Sequence, residues 1–340
     1  MYLSFEGVEE KLEKKGPFTI KELRSLSPGT QFWGKYLILD KNQRKIKDGR
    51  DIVNLKLGDT TGEVDAVVWD NCKVTGELEN GAVIGLLADI GSYNNRLQAT
   101  AKRIKILEED PLEYAKKPEV DIDTLIGQFG DIINRVSDPC LRELLTRIFT
   151  PAVRTIFFRA PAAKKIHHNY SGGLLEHTLT VAQLCAQIAG NYPDINRDLL
   201  ISGALLHDIG KLQEYEMKVV PEYTVEGRLL GHIVMGSELI TARIAQMRAE
   251  NIDFPPKLEW MLKHMILSHH GSLEFGSPVI PLFPEAFMLY MMDNLDAKMF
   301  VYKQKINESD ADEPFTNYDS FFGQYFFTYR YQENNNGKEE

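Results

Sequence analysis

At 340 residues the chain is longer than one ordinary hydrophobic core supports, so its length predicts two domains. Its 43% hydrophobic and 26% charged residues are those of a globular protein in water, and no apolar run is long enough to cross a membrane or act as a signal peptide, which predicts a cytoplasmic protein. Three cysteines without CxxC spacing argue against a disulfide framework and a thiolate zinc site, and a formal charge of −10 means that any nucleic-acid partner needs a local basic surface.

Residues 1–30 read as a short helical lead with a turn at Ser27-Pro28-Gly29. From residue 31 to 107 the hydrophobic period is two, and the runs 33–39, 51–57, 64–69, 83–88 and 97–101 read as five strands. Asp59-Thr60-Thr61-Gly62 supplies a tight turn, and 92–96 turns the fourth strand into the fifth. Five strands in a meander, with a longer insert after the third, resemble the OB-fold nucleic-acid-binding domains. In such a barrel the first inter-strand loop would hold Lys41, Arg44, Lys45, Lys47 and Arg50, diluted by Asp40, Asp48 and Asp51. Tyr93 and Arg96 would form the opposite flank of the ligand face, with Trp33, Tyr36 and Trp69 between them as stacking platforms, or with the two tryptophans as barrel core.

Residues 108–120 form a charged linker marked by Pro111 and Pro118. The period then becomes helical, with helices expected over 121–135, 138–149, 151–159, 173–190, 197–208, 228–250, 256–269 and 284–305. From 311 to 340 an aromatic-rich tail, dense in Phe and Tyr over 315–331, is expected to pack back on a domain or to stack bases. It runs into a polar end expected to be disordered.

The chemistry lies in the helical part. Leu199, Leu200, Gly203, Ala204 and Leu206 keep helical spacing on an apolar surface that closes on His207-Asp208, so this pair should be buried. An ionised Asp buried beside a His is costly unless something compensates both, either a core salt bridge or a divalent metal. Gly210 is expected to break the helix and leave the carboxylate at the rim of a cavity.

All eight histidines fall between His167 and His270, and this clustering favours the metal. His177 lies on one expected helix, His207-Asp208 end the next, His232 begins a third after Gly231, His269-His270 end a fourth, and Asp293 lies in an apolar fifth. Imidazoles and carboxylates converging from several helices build mono- or dinuclear sites, and the two oxygens of Asp208 could bridge two ions.

In that order these residues resemble the HD-domain phosphohydrolases, whose signature is a His, an adjacent His-Asp and a distant Asp. The resemblance implies His177 as the first ligand, His207 and Asp208 as the doublet and Asp293 as the closing Asp. His232 in HIVMGSELI resembles the HxxxG element of the dinuclear branch, and His269-His270 in LSHHG its paired histidines, implying a second ion. Lys211 resembles the lysine that comes after the doublet and would face a substrate phosphate. Asp296 or His264 could replace Asp293 or His269 if the register shifts by a turn.

The barrel together with HHNYSGGLLEHT, LLHDIGK, LSHHG and MMDNLDAK resembles, over residues 20–310, the YhaM-type 3′→5′ exoribonucleases. His167, His168 and Tyr170 would then line the pocket or support the ligand helix.

The expected fold is therefore multidomain: a five-stranded OB-type β-barrel over 31–107 and an all-α HD-domain bundle over 121–310. The resemblance implies a metal-dependent 3′→5′ exonuclease acting on single-stranded RNA, or single-stranded DNA, and releasing nucleoside monophosphates. Asp208 and Lys211 would be catalytic, with one or two divalent ions, Mn²⁺ favoured over Co²⁺, Fe²⁺, Mg²⁺ or Ni²⁺. The alternative is a nucleotide or cyclic-nucleotide phosphohydrolase whose barrel docks a partner. A third reading is a single-strand binding protein that stores metal; unused buried His and Asp would only destabilise it. The sequence leaves a homo-oligomer open.

Overall fold

The computed structural model describes residues 16–45, 49, 51–93, 96–116, 118, 120–162, 170–308, 313–319 and 322–329, with Arg96 and Glu308 described by their backbone alone. The helical lead is a single turn within these residues, α1 (Ile20–Leu23), started by a capping box in which Thr19 and Glu22 bond each other's backbone N–H.

Six strands come next: β1 (Gln31–Lys45), β2 (Asp51–Asp59), β3 (Gly62–Val68), β4 (Lys73–Thr75), β5 (Val83–Tyr93) and β6 (Arg96–Leu107). β1 pairs antiparallel with β2 and β5, β2 with β3, and β5 with β6. Parallel pairing of β3 with β6 closes the sheet into a five-stranded OB-like barrel, and short β4 adds to the free side of β6. Alternate side chains, among them Phe32, Ile38, Leu55, Leu57, Val64, Ala66, Ile84, Leu86, Ala99 and Ile104, fill its interior.

Two expectations for the barrel change. Lys41, Arg44 and Lys45 do not lie in a loop: β1 and β2 run on as a ribbon, pairing Lys41 with Leu55, Arg44 with Ile52 and Lys45 with Asp51. All five residues from Lys41 to Lys45 are exposed, so this stretch lacks the apolar alternation that would betray a strand in the sequence. Tyr36 is no stacking platform, because it is fully buried and its hydroxyl donates to the Phe18 carbonyl at 2.7 Å. Trp33 and Trp69 are half-buried. Lys47 and Arg50 lie outside the described residues.

The linker carries one 3₁₀ turn (Pro111–Glu113), and Glu109 accepts from Lys35 at 2.7 Å and from the Tyr114 hydroxyl. Helices α2 (Ile122–Asn134), α3 (Pro139–Ile148), α4 (Pro151–Phe157), α5 (Gly173–Ala189), α6 (Arg197–Leu206), α7 (Lys211–Glu214), α8 (Val225–Ala249), α9 (Pro256–Ser268) and α10 (Pro284–Glu308) follow. Their starts obey capping chemistry: the side chains of Asp121, Asp138, Thr150, Asn196 and Thr224 each accept a first-turn N–H. A hairpin of β7 (Tyr215–Glu216) and β8 (Glu222–Tyr223), too short to show a period, leads from α7 into α8. From it Val220 packs on Leu37, Val83 and Leu107 of the barrel wall.

The tail packs in part and stays open in part. Phe322 and Phe326 pack edge-on against Tyr302 of α10 and Lys305 pairs with Asp319 at 2.8 Å, while Phe315, Tyr318, Tyr325, Phe327 and Tyr329 stay exposed. Among the described residues no helix is long and apolar enough to cross a membrane.

Candidate metal centre

The site is built around α6. Residues Leu199 to Leu206 of this helix are all buried, and it packs against α3, α5, α9 and α10. A helix so enclosed delivers the residues at its C-terminal end to the middle of the bundle, and those residues are His207 and Asp208. Asp208 is 2% exposed, so Gly210 does not leave its carboxylate at a rim. Gly210 has another role. A Cβ there would stand 2.0 Å from the His232 carbonyl oxygen and 2.7 Å from the Gly236 nitrogen, so only glycine lets the turn after Asp208 lie against α8. That close approach explains the glycine after the His-Asp pair, whereas a Cβ at Gly236 would meet only ordinary contacts at 3.4 Å or more. Within α8 the helical path breaks at Gly231 (φ 73°, ψ 156°), and this break aims His232 inward.

Five imidazoles meet here in one orientation. The Nδ1–H of His207 donates to the Ala204 carbonyl at 2.7 Å, that of His269 to Ile266 at 2.7 Å and that of His270 to Phe275 at 2.8 Å. His177 Nδ1 is 2.7 Å from Asp296 Oδ2, and His232 Nδ1 is 3.1 Å from Glu214 Oε1. Carbonyl and carboxylate oxygens only accept, so each ring carries its proton on Nδ1, and a neutral imidazole then has a bare lone pair on Nε2.

Those lone pairs confront further acceptors. His177 Nε2 and His207 Nε2 are 3.1 Å apart, and they stand 3.2 and 3.8 Å from Asp293 Oδ1 and 3.5 and 3.3 Å from Asp208 Oδ2. On the other side, Asp208 Oδ1 is 3.5 Å from His232 Nε2 and 3.8 Å from His269 Nε2, and all three atoms are buried without a hydrogen-bond partner. Acceptors packed against acceptors repel unless cations lie between them or, between His177 and Asp293, a second proton sits on the ring. Two groups of ligand atoms, His177/His207/Asp293 and His232/His269/His270, each gather within 4.8 Å, with one Asp208 oxygen facing each group. The residues fit divalent metal.

Electrostatics agree with that fit. Burial pushes the carboxyl of Asp208 up, but Lys211, His207 and His232 more than offset this and hold it well below its ordinary value. Burial likewise opposes ionisation of Asp293, and the contacts with His177 and His207 overcome it. Burial, reinforced by His270 and His207, keeps His269 well below its ordinary value, which suits a neutral ligand.

Of the residues singled out in the sequence, His177, His207, Asp208, His232, His269, His270 and Asp293 thus come together. Asp296 does not replace Asp293; it stands behind His177. His264 does not replace His269, because its Nε2 accepts from the Leu282 N–H at 3.1 Å. Lys211 Nζ donates to Asp208 Oδ2 at 2.6 Å, both groups being buried. Tyr170 is buried and its hydroxyl bonds Glu176, one residue before His177, so it supports the ligand helix; His167 and His168 lie outside the described residues. On the barrel, Tyr93 is 61% exposed, while the Lys41 ammonium is tied to the Leu78 carbonyl at 2.8 Å.

Sequence reasoning missed Glu214 and Ser277. Glu214 is a buried acid three residues after Lys211, but it lies in the charged stretch Lys211-Leu212-Gln213-Glu214-Tyr215-Glu216-Met217-Lys218, where nothing marks it out. Ser277, whose Oγ accepts from the His270 N–H at 3.1 Å, gave no signal either.

Comparison with known proteins agrees with this geometry. The family model described as HD domain matches residues 174–298. The chain is 35% identical over 283 residues to the 3′-5′ exoribonuclease YhaM of Bacillus velezensis, covering 80% of this chain and 87% of that one. It is also 35% identical over 276 residues to that of Bacillus subtilis, covering 78% and 84%. Among solved structures, the second OB-fold domain of replication protein A from Methanococcus maripaludis is 20% identical over 27% of this chain and 96% of its own, at a TM-score of 0.22; the barrel assignment rests on strand pairing instead. With relatives aligned along most of both chains and an HD domain spanning the histidine cluster, the chain belongs to the family of YhaM 3′-5′ exoribonucleases.

Proposed function

We propose that the chain is a metal-dependent 3′→5′ exonuclease that shortens single-stranded RNA to nucleoside monophosphates, with two Mn²⁺ ions held by His177, His207 and Asp293 on one side, His232, His269 and His270 on the other, and Asp208 between. The imidazoles of His177, His207, His232 and His269, turned to present Nε2 to Asp208 and Asp293 with His270 gathered beside them, carry this reading. When bound, the divalent ions supply a water that is nucleophilic at neutral pH and positive charge for the phosphate.

The chain's own residues do the rest. Nδ1 contacts fix each ring before substrate arrives, so no reorganisation is needed at the reacting phosphate. Lys211 cannot ligate as an ammonium. Once cations share the charge of Asp208, its Nζ is left to donate to a phosphate oxygen on which negative charge grows.

The barrel holds the strand. Arg44 and Lys45 on the exposed ribbon, with Lys47, Arg50 and Arg96, offer phosphate contacts, the tethered Lys41 adds its charge, and exposed Tyr93 offers a face for a base. A nucleotide phosphohydrolase would have no use for these groups, and the YhaM relatives do not favour that alternative.

The test is protein loaded with Mn²⁺, given end-labelled single-stranded RNA, single-stranded DNA of the same sequence and a mononucleotide panel side by side. Stepwise shortening of RNA from its 3′ end, with nucleotides untouched, is the expected result. Preferential hydrolysis of free nucleotides would overturn the assignment.

A further inference from the structure

The two halves of the metal centre are not equally charged. Among the described residues, the half with His177 and His207 has Asp293 and one oxygen of Asp208, whereas the half with His232, His269 and His270 has three imidazoles and only the other Asp208 oxygen. A dication in the second half meets less negative charge, and its affinity depends more on how basic its imidazoles are.

In that half His269 and His270 lean on neutral backbone carbonyls, but His232 leans on a carboxylate. Glu214 Oε1 is 3.1 Å from His232 Nδ1 and also accepts the His232 backbone N–H at 3.0 Å, which the break at Gly231 takes out of the helical ladder. Glu214 is 5% exposed, and its Oε2 is buried with no hydrogen-bond partner. If the only task were to accept two N–H groups, a neutral amide would do it without burying an ion. What a carboxylate adds is charge, transmitted through the ring to Nε2.

We infer that Glu214 is a positioning residue for the half of the centre formed by His232, His269 and His270, fixing the His232 ring and raising the basicity of its Nε2 so that this half retains its divalent ion. His177 has the matching device in Asp296, so each half contains one imidazole backed by a carboxylate. The inference rests on the proposed two-ion centre.

The experiment uses full-length protein stripped by chelation and titrated with Mn²⁺, with bound ion counted by equilibrium dialysis and ion pairing read by electron paramagnetic resonance. Wild type should take up two ions per chain and show a spin-coupled pair. Glu214→Gln keeps both acceptor contacts but not the charge. At the Mn²⁺ level that saturates wild type it should hold one ion with an isolated-ion spectrum, and raising Mn²⁺ roughly 10–100-fold should restore the pair. Glu214→Ala should need more Mn²⁺ still, while Glu214→Gln guards against a variant that fails to fold. Unchanged uptake of the second ion in Glu214→Gln, or equal weakening of both ions, would overturn the inference. A wild type that binds fewer than two ions would instead overturn the two-ion centre and the inference with it.

Discussion

Gly210→Ala adds one methyl group, and the structure sets what it must do. The new Cβ would stand 2.0 Å from the His232 carbonyl oxygen, whereas ordinary contact begins at 3.4 Å. Both obstacles, this oxygen and the Gly236 nitrogen at 2.7 Å, are backbone atoms that cannot rotate away, so the turn after Asp208 and α8 must part by about 1.4 Å, the difference between the two distances. Overpacking of this kind costs about 1–3 kcal/mol of stability. The larger effect is on chemistry: His232 Nε2 and Asp208 Oδ1, now 3.5 Å apart, ride on the separating segments, and a misplacement of about 1 Å at a reacting centre costs on the order of 10²-fold in rate. The assay pairs thermal unfolding with RNA digestion and Mn²⁺ content. A modest loss of melting temperature, roughly hundredfold slower digestion and loss of one ion are expected. A Gly210→Ala protein with two ions and wild-type rate would refute the packing argument.

Lys211→Ala should lower kcat without removing metal, and because it strips a buried Asp208 of its partner it should cost about 3–5 kcal/mol in chelator-treated protein and much less once Mn²⁺ is loaded; equal destabilisation with and without Mn²⁺ would contradict the pairing. Neutralising Lys45, Lys47 and Arg50 together should weaken long single strands, flatten the log–log salt slope by about 2 and leave dinucleotide cleavage nearly untouched. Equal effects on long and short substrates would mean that the barrel is not a clamp. In the absence of a cation, burial works against a charged His177, yet Asp293 and Asp296 outweigh it and raise its pKa to about 10, so the ring is doubly protonated at neutral pH. This contact therefore stabilises the metal-free protein fully below the ordinary histidine value and ceases to do so as pH rises through about 10, and metal must expel the proton. Mn²⁺ affinity should accordingly rise about tenfold per pH unit between roughly pH 7 and 8.5, as isothermal titration at several pH values will show; an affinity flat with pH would exclude a proton on His177.

Much of the fold was legible because each part obeys one period. The barrel strands alternate, and the helices capped by Asp121, Asp138 and Asn196 begin where expected, while α8 starts three residues earlier than expected, behind Thr224. The outer half of β1 was not legible, since Lys41 to Lys45 are all exposed and leave no apolar pattern to read, although Ile52 and Leu55 opposite them are buried. The histidine cluster was readable as a set because its members end or interrupt apolar helices. Which carboxylate faces the cluster and which stands behind a ring was not: Asp293 and Asp296 lie three residues apart on α10, and only their distances to Nε2 and Nδ1 of His177 separate them. Glu214 was invisible for a similar reason, because its contact with His232 spans 18 residues and depends on a single glycine break.

Asp208 is the group shared by both halves of the centre, and the proposed chemistry stands or falls with it. The most direct test is Asp208→Ala, measured for Mn²⁺ per chain and for 3′-end shortening of 5′-labelled single-stranded RNA, with circular dichroism to confirm the helices. Loss of both ions and of all shortening, with the helices intact, is the predicted result. A folded Asp208→Ala protein that keeps two ions and still shortens RNA from its 3′ end would contradict it.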